Sequence, residues 1–324
     1  MNSDLYTNLE NSRKEINPDI IIEFSPDDTL HLPVVVIYVR PETNIVSYEK
    51  SIIKGIAPFG NVIYMANLNG KLFIKDALIL EHYASQYRFA IFGRQEIEKY
   101  TEMIDAFEKH FNDKFDSAQI IGSFEAILKL EMKQQELFNV FVHEGDFLRL
   151  YGQTIKKIKD VYVVNYDIPA LIEKYNPKTN VFVIALRFKN DNISFTDINQ
   201  SISEELKKNN NSPLLKANDD KFDELNWVDI LKRTYHISNS HVMALFDMKD
   251  FVFKSDGSHL KFSETPLGYK VLQTRVTVEM LKSLKEYPIV YVEENGKKKL
   301  INIIEEACNK TLDECVELVN RIIW

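Results

Sequence analysis

The sequence has little cysteine, little glycine and no long apolar run. Cys308 and Cys315 are its two cysteines, and they lie seven residues apart in a helical segment. That spacing puts them two helical turns apart, which is too far for an unstrained disulfide. We therefore expect two core thiols in a reducing cytoplasm. No stretch approaches the roughly 20 apolar residues of a membrane span, so we expect no membrane contact.

Glycine is too scarce for the usual phosphate-binding loops, with 10 in 324 residues. Gly55 and Gly60 come closest, and they match neither G-x-G-x-x-G nor the P-loop. The chain also lacks a G-x-S-x-G elbow and histidine pairs at metal-ligand spacing. These absences argue against common nucleotide, serine-hydrolase and zinc enzymes. We expect no cofactor, no metal and no recognisable catalytic residue.

The remaining composition is that of an ordinary globular protein with several domains. Hydrophobic residues make up 45% of the chain, and the net charge is −8. Such a molecule is not basic as a whole, although a local basic patch can still bind nucleic acid. The length of 324 residues favours two or three domains.

Strand and helix patterns alternate after a polar lead-in over 1–31. The apolar run 32–39 predicts a buried strand, and amphipathic patterns of the 3.6-residue period follow it. We predict an α/β region over 32–206, which either forms one domain or divides near 150. Units at 33–66 and 161–187 have the rhythm of ferredoxin-like halves and of many other α/β folds. Further predictions are helices at 46–57, 76–86, 95–111, 123–135, 168–175 and 196–208, and strands at 61–66, 87–92, 138–142, 147–151, 161–164 and 181–186.

Polar residues follow three of these predicted strands. If the strands are parallel neighbours, their carboxyl ends meet at one edge, where α/β proteins usually bind ligands. The sequence then predicts a crevice for an anion or a small polar ligand, with ordinary solvated loops as the alternative. The residues are Arg40, Glu42, Asn67, Asn69 and Arg94.

The segment His143–Asp146 combines a histidine with two acidic residues. A metal or acid–base cluster would need further ligands at fixed spacing, and none is present. The segment also lies between two predicted strands, so we interpret it as a tight polar turn.

The most specific local pattern follows a predicted linker over 207–225. An apolar stripe from Trp227 to Tyr235 predicts a helix, and His236-Ile237-Ser238 has the length of a helix-turn-helix turn. Ser238 is the predicted N-cap of a second helix, with Ile237 packing on Val242 as a hydrophobic staple.

A hairpin and another capped helix follow in the sequence. Residues 251–262 alternate around Asp256-Gly257, which is the strongest short hairpin signal. Thr265 is the predicted cap of the next helix, with Pro266 in its first position and Gly268 allowing close approach to the hairpin.

In this order of elements, residues 227–275 resemble the winged helix-turn-helix superfamily. The resemblance covers about a sixth of the chain and implies a three-helix core whose second helix and wing contact DNA. Residues 226–275 hold seven basic and five acidic residues, so the patch is weakly positive. A purely architectural or protein-binding winged helix is the alternative. The implied contacts to DNA or a protein partner are Asn239, Ser240, His241, Lys254, His259 and Lys261.

The segment 286–324 is predicted to contain a strand at 288–292 and two helices. Thr311 and Glu314 form a capping box before an apolar stripe that ends at Trp324. This stripe packs either on its own chain or against a second copy in a homodimer.

Two functional hypotheses follow. The first is a non-catalytic regulatory or scaffold protein whose module over 226–285 contacts DNA or a protein partner. The second is a sensor of small anions or nucleotides, or an unrecognised enzyme, that uses the α/β region.

Overall fold

The computed structural model describes residues 18–25, 32–208 and 234–324. Its strands are β1 Asp19–Ile22, β2 Val34–Val39, β3 Gly60–Asn69, β4 Gln119–Gly122, β5 Phe147–Leu150, β6 Gln153–Ile158, β7 Val161–Val164, β8 Asn180–Phe188, β9 Tyr235–Ile237, β10 Ile289–Glu294 and β11 Lys297–Asn302. Its helices are α1 Val46–Ile56, α2 Gly70–Lys75, α3 Leu78–His82, α4 Ala84–Phe92, α5 Arg94–Ile97, α6 Thr101–Phe111, α7 Ser123–Lys129, α8 Gln134–Asn139, α9 Ile168–Glu173, α10 Phe195–Lys207, α11 His241–Phe251, α12 Pro266–Val271, α13 Val278–Glu286, α14 Ile303–Glu306 and α15 Leu312–Asn320. Among the described residues, no helix combines the length and apolar character needed to cross a bilayer.

The chain forms two compact units that are discontinuous in sequence. Unit 1 comprises the described residues within Met1–Leu78, Tyr175–Val276 and Ala307–Asn320. Unit 2 comprises Ile79–Lys174, Thr277–Glu306 and Arg321–Trp324. The α/β content predicted for the chain is confirmed. The boundaries of these units differ from the domain boundaries predicted after residue 206 and before residue 226. Residues 209–225 of the predicted linker lie outside the described residues.

Unit 1 is built on one antiparallel sheet with the order β1-β3-β8-β2-β9. Without the edge strand β1, its chain order is β2-α1-β3-β8-α10-β9, with β8 between β2 and β3. This βαββαβ arrangement has the topology of a ferredoxin-like fold. The strand–helix–strand segment predicted over 33–66 therefore belongs to this fold. The segment predicted over 161–187 does not, because its first strand, β7, is part of another sheet.

One face of this sheet is covered by α1 and α10. Ile52 and Ile56 of α1 and Ile198 and Ile202 of α10 share one cluster with alternate residues of β2 and β8, and all four are buried. The helices approach closely at Gly55, where a Cβ would lie 2.8 Å from the Cα of Ile202. The amphipathic spacing of both helices thus directs their apolar stripes onto the sheet.

The opposite face of the sheet packs against α11. Tyr38 of β2 is fully buried there, with its ring centroid 4.8 Å from that of Phe251 in α11. Phe251 also lies 6.2 Å from Phe73 of α2. Helix α11 is buried on almost every side, which agrees with its nearly continuous apolar sequence.

Unit 2 has a four-stranded sheet with the order β4-β7-β6-β5 and a separate β10–β11 hairpin. Only β4 and β7 are parallel in this sheet, and Phe107 and Tyr162 pack on one of its faces. The predicted strand at 87–92 is wrong, because these residues end α4. Helix α4 packs its Phe89 into the same cluster, and Gly93, at φ +51°, ends it.

Several local predictions in the winged-helix segment are confirmed. Thr265 caps α12 by accepting a hydrogen bond from the backbone N of Gly268 at 3.2 Å. A Cβ on Gly268 would lie 2.0 Å from the carbonyl O of Phe262, so this close contact requires glycine. The hairpin predicted over 251–262 is reduced to a turn with one isolated bridge, between Phe253 and His259, and its two strands do not form. Only Gly257 of the Asp256-Gly257 pair has positive φ, so the turn is not type I′.

The overall winged-helix arrangement is not confirmed. Tyr235–Ile237, predicted to end a helix and begin a turn, is the strand β9, paired with β2. Ser240 rather than Ser238 caps the following helix, since its side chain accepts from the backbone N of Met243 at 3.1 Å. The apolar stripe before Tyr235 lies mostly within 209–233, outside the described residues.

The C-terminal capping box is confirmed. The Thr311 backbone N donates to Glu314 Oε2 at 2.7 Å, and the Glu314 backbone N donates to Thr311 Oγ1 at 3.3 Å. Leu312, Cys315 and Val319 of the following helix are buried within the single chain. Burial raises the pKa of the Cys315 thiol to about 12, as expected for a core cysteine. This apolar face therefore needs no second copy to cover it, and a homodimer through it stays a prediction.

Candidate functional site

A buried histidine–carboxylate pair lies on the α11 side of the unit 1 sheet. His236 is the middle residue of β9 and stands opposite Tyr38 in the antiparallel register with β2. Directly opposed residues place their side chains on the same face. The two rings are stacked, with centroids 4.6 Å apart and planes at 16°. Tyr38 thus fixes one face of the imidazole.

Asp247 of α11 fixes the edge of the same imidazole. Its Oδ2 lies 2.8 Å from His236 Nε2 and 2.7 Å from Ser238 Oγ. The carboxyl group is fully buried, whereas 11% of the His236 side chain is exposed. An ionised carboxylate only accepts hydrogen bonds, so Nε2 carries a proton. In the neutral ring, Nδ1 is then the nitrogen with the lone pair.

Ser238 holds this pair in register with the sheet. Its hydroxyl donates to Asp247 Oδ2 and accepts from the backbone N of Val36 at 3.0 Å. Val36 lies 202 residues earlier in the chain, on the central part of the sheet. A hydroxyl with these partners is positioned to orient Asp247 and is a poor nucleophile.

Arg40 brings a positive charge to the same end of β2. Its backbone N donates to the carbonyl O of Thr234 at 3.0 Å, which continues the β2–β9 ladder beyond Tyr38. Thr43 secures the connection, because its hydroxyl donates to the same carbonyl at 2.5 Å. Side chains alternate along extended backbone, so Arg40 lies on the face that carries Tyr38 and His236.

Four of the five residues predicted to line an anion crevice lie at or after the ends of two strands that β8 separates. Strands β2 and β3 are both antiparallel to β8, so their carboxyl ends lie at one edge of the sheet. Arg40 and Glu42 follow β2 there, and Asn67 and Asn69 end β3. Asn69 is used as the cap of α2, since its Oδ1 accepts from the backbone N of Leu72 at 3.1 Å.

The fifth predicted crevice residue, Arg94, has a structural role in unit 2. Its Nη1 donates to the carbonyl O of Phe115 at 2.9 Å, and its guanidinium lies 4.6 Å from the centre of the Phe115 ring. The strand predicted to precede it is the helix α4, so the geometric reason for including it is wrong.

The residues predicted to contact DNA or a protein partner differ widely in exposure. Asn239 and Lys261 are exposed. The predicted exposure of Ser240 and His241 is wrong, because they are 1% and 7% exposed. Burial, with a smaller effect of Lys270, lowers the pKa of His241 to about 4. Its ring packs edge-on against Phe195 at 5.0 Å.

The two remaining residues of that set are partly buried and have partners. Lys254 Nζ lies 2.7 Å from Glu264 Oε1. His259 Nδ1 lies 3.0 Å from the carbonyl O of Lys249, and its ring is 4.4 Å from that of Phe253. Both side chains therefore stabilise the hairpin itself.

The predicted turn at His143–Asp146 is confirmed as a 3₁₀ turn directly before β5.

Imidazole and carboxylate are ordinary transition-metal ligands, and within unit 1 His236 and Asp247 bring two such atoms to 2.8 Å. Within unit 1 the two groups form a hydrogen-bonded dyad.

Sequence reasoning does not find the dyad. The pattern predicts His236 in a helix-turn-helix turn, and it assigns Asp247 no role in a site. The sequence did contain one signal. Residues 242–251 are apolar on all sides except for Asp247, Lys249 and Asp250, and a carboxylate in such a buried helix requires a polar partner. Comparison of the chain with protein-family models, curated proteins and solved structures found no match.

Proposed function

We propose that unit 1 is an enzyme that binds a small anionic ligand beside Arg40 and uses His236 as its proton-transfer group. The observation that carries this proposal is the 2.8 Å hydrogen bond between His236 Nε2 and the fully buried carboxylate of Asp247. A base whose second nitrogen is oriented by a carboxylate is the usual arrangement of a catalytic histidine.

The position of the proton on the His236 ring determines which nitrogen can act as a base. With Nε2 protonated and held by Asp247, Nδ1 accepts a proton from the bound ligand, and the ring becomes an imidazolium. The carboxylate stabilises that cation, and the same proton returns to the product in the second half of the reaction. Ser238 and Tyr38 hold the ring still, which lowers the cost of reaching the reactive geometry.

Arg40 supplies the attraction for the ligand. The guanidinium is always charged and binds carboxylates and phosphates through paired N–H groups. Arg40 lies on the same sheet face as Tyr38 and His236. An anion bound to its guanidinium has its reacting atom near the His236 imidazole. Nucleotides, phosphate and small carboxylates are the ligand classes that fit this charge.

Asp247→Asn is expected to lower the reactivity of His236 toward diethyl pyrocarbonate by about tenfold or more at pH 7, because an Asn amide that donates to Nε2 leaves the ring proton on Nδ1, which is then no longer nucleophilic. The rate is read for each histidine by peptide mass spectrometry. Asp256→Asn, in the exposed hairpin turn, is the matched control and should leave the rate unchanged. Equal rates in wild type and Asp247→Asn, with the fold intact by circular dichroism, would refute the catalytic role of the dyad.

A thermal-shift screen with phosphate, small carboxylates and nucleotides tests the anion. A ligand at 100 times its Kd should stabilise the native state by about 2.7 kcal/mol and raise its melting temperature. We expect Arg40→Gln to abolish the shift and Arg94→Gln to retain it, each relative to the variant's own baseline. A shift lost in Arg94→Gln and kept in Arg40→Gln would place the anion elsewhere.

A further inference from the structure

Unit 2 contains a buried lysine whose amino group has no acidic partner within ion-pair distance. Lys156 lies in the middle of β6 between Phe147 of β5 and Val163 of β7, and it is 5% exposed. Lysine is almost never this buried unless it is paired with an acid. Across the described residues, no carboxylate oxygen comes within 4.0 Å of its Nζ.

The amino group is held by a carbonyl and an aromatic ring. Nζ donates to the carbonyl O of Val140 at 2.7 Å and lies 3.4 Å from the centre of the Tyr166 ring. Phe147 packs edge-on against that ring, and Phe138 stacks on it, each with centroids 6.2 Å apart. The carbonyl and the face of the Tyr166 ring accept two N–H groups, which is the full number of an uncharged amine and one fewer than the three of an ammonium ion.

The same environment acts on the protonation equilibrium. Burial lowers the pKa of Lys156 to about 8, and the opposing attraction of Asp167 is smaller. At pH 7 the uncharged fraction is then about 200-fold larger than for a lysine with the ordinary pKa of about 10.4. Desolvation in an apolar pocket is one of the ways in which proteins activate lysine as a nucleophile.

Access to the amine passes through an irregular segment. Val140, whose carbonyl holds Nζ, follows α8 and begins the stretch 140–143, which has neither helix nor strand. The next residue, Phe141, is 84% exposed. The segment that holds the amine is therefore fixed by the packing of Val140 and Val142 and by no sheet or helix hydrogen bonds, so a local opening of it would expose Nζ to a small reagent.

We propose that Lys156 is a carbonyl-reactive amine that forms an imine with small aldehydes. The Nζ lone pair attacks the carbonyl carbon, and a C–N bond forms as the carbonyl oxygen takes up a proton. The carbinolamine then loses its hydroxyl group as water, with the amine's own protons completing the balance, and leaves a C=N bond. The ligand class is a small aldehyde, and the site is independent of the dyad in unit 1.

Reductive methylation of the full-length chain tests the proposal. Limiting formaldehyde with sodium cyanoborohydride converts each imine that forms into a stable methylamine, which peptide mass spectrometry assigns to its lysine. We expect Lys156 to react at least about tenfold faster than the exposed Lys159 at pH 7. The ratio of the Lys156 rate to the Lys159 rate should fall by about 60-fold between pH 7 and pH 10, because the uncharged fraction of an ordinary lysine rises far more over that range than the uncharged fraction of Lys156.

The outcome that overturns the proposal is Lys156 reacting more slowly than Lys159 at every pH, which would make it a structural lysine. Lys156→Met should remove the fast-reacting site, and Lys157→Met on the other face of β6 should keep it. The wild-type pH profile decides the question even if Lys156→Met does not fold. Because the readout maps to unit 2, it is separate from the result at His236.

Discussion

Phe251→Ala is expected to destabilise unit 1 by about 3–5 kcal/mol, the usual cost of removing a fully buried phenylalanine ring. The ring is 0% exposed and lies between Tyr38 and Phe73, with centroids at 4.8 and 6.2 Å. Its removal leaves a cavity among aromatic side chains, which are too rigid to fill it. Native-state hydrogen exchange of the β2 and β8 amides measures this loss in unit 1 alone.

The same substitution also bears on the proposed site. Tyr38 stacks on His236 and contacts Phe251, so the cavity removes one support of the imidazole. We expect His236 reactivity to fall in Phe251→Ala although no group of the dyad is changed. Phe141→Ala, at an 84% exposed position, is the control and should change stability by less than about 0.5 kcal/mol. A loss below 1 kcal/mol in Phe251→Ala would contradict the packing described above.

Acidification from pH 7 to pH 4.5 is expected to remove about 2.5 kcal/mol of stability through His241 alone. Burial, assisted by Lys270, lowers its pKa in the folded state to about 4, whereas the unfolded chain has an ordinary value near 6.5. Between these two values the unfolded state binds more protons than the folded state. Stability is therefore complete above pH 6.5 and is lost as the pH falls toward 4.

The contribution of His241 is isolated by comparison with His241→Leu. This variant lacks the titrating ring, so its free energy of unfolding should fall by about 2.5 kcal/mol less than that of wild type over the same pH range. Carboxylates elsewhere act on both proteins equally and cancel in the difference. Exchange rates of the α11 and β8 amides at each pH provide the measurement. Identical pH dependence in the two proteins would show that the imidazole is solvated.

Sequence reasoning succeeded where structure is set by neighbours along the chain. The strands around Val36 and Val183 are continuous β-branched or apolar runs, and such runs are typical of buried strands. The caps at Thr265 and Thr311 depend on hydrogen bonds that span three residues, which the sequence displays directly.

Sequence reasoning failed where contacts between distant segments of the chain determine the structure. Ser238 and Ser240 are equally good N-caps by propensity, and only the pairing of β9 with β2 commits Ser238 to the sheet and leaves Ser240 as the cap. The dyad has the same origin, because a strand residue and a helix residue meet only once α11 packs on the sheet. The run 87–92 has strand composition, yet Phe89 packs from a helix. Tertiary packing overrides propensity there.

The order of strands in the unit 1 sheet has a consequence for biosynthesis. Strand β2 lies inside the sheet, between β8, which begins at Asn180, and β9, which ends at Ile237. The hydrogen bond between Val36 and Ser238 closes a separation of 202 residues. At roughly 5–20 residues per second, a ribosome needs about 10–40 s to deliver that second partner. Until then at least one edge of a strongly apolar strand is open to mispairing.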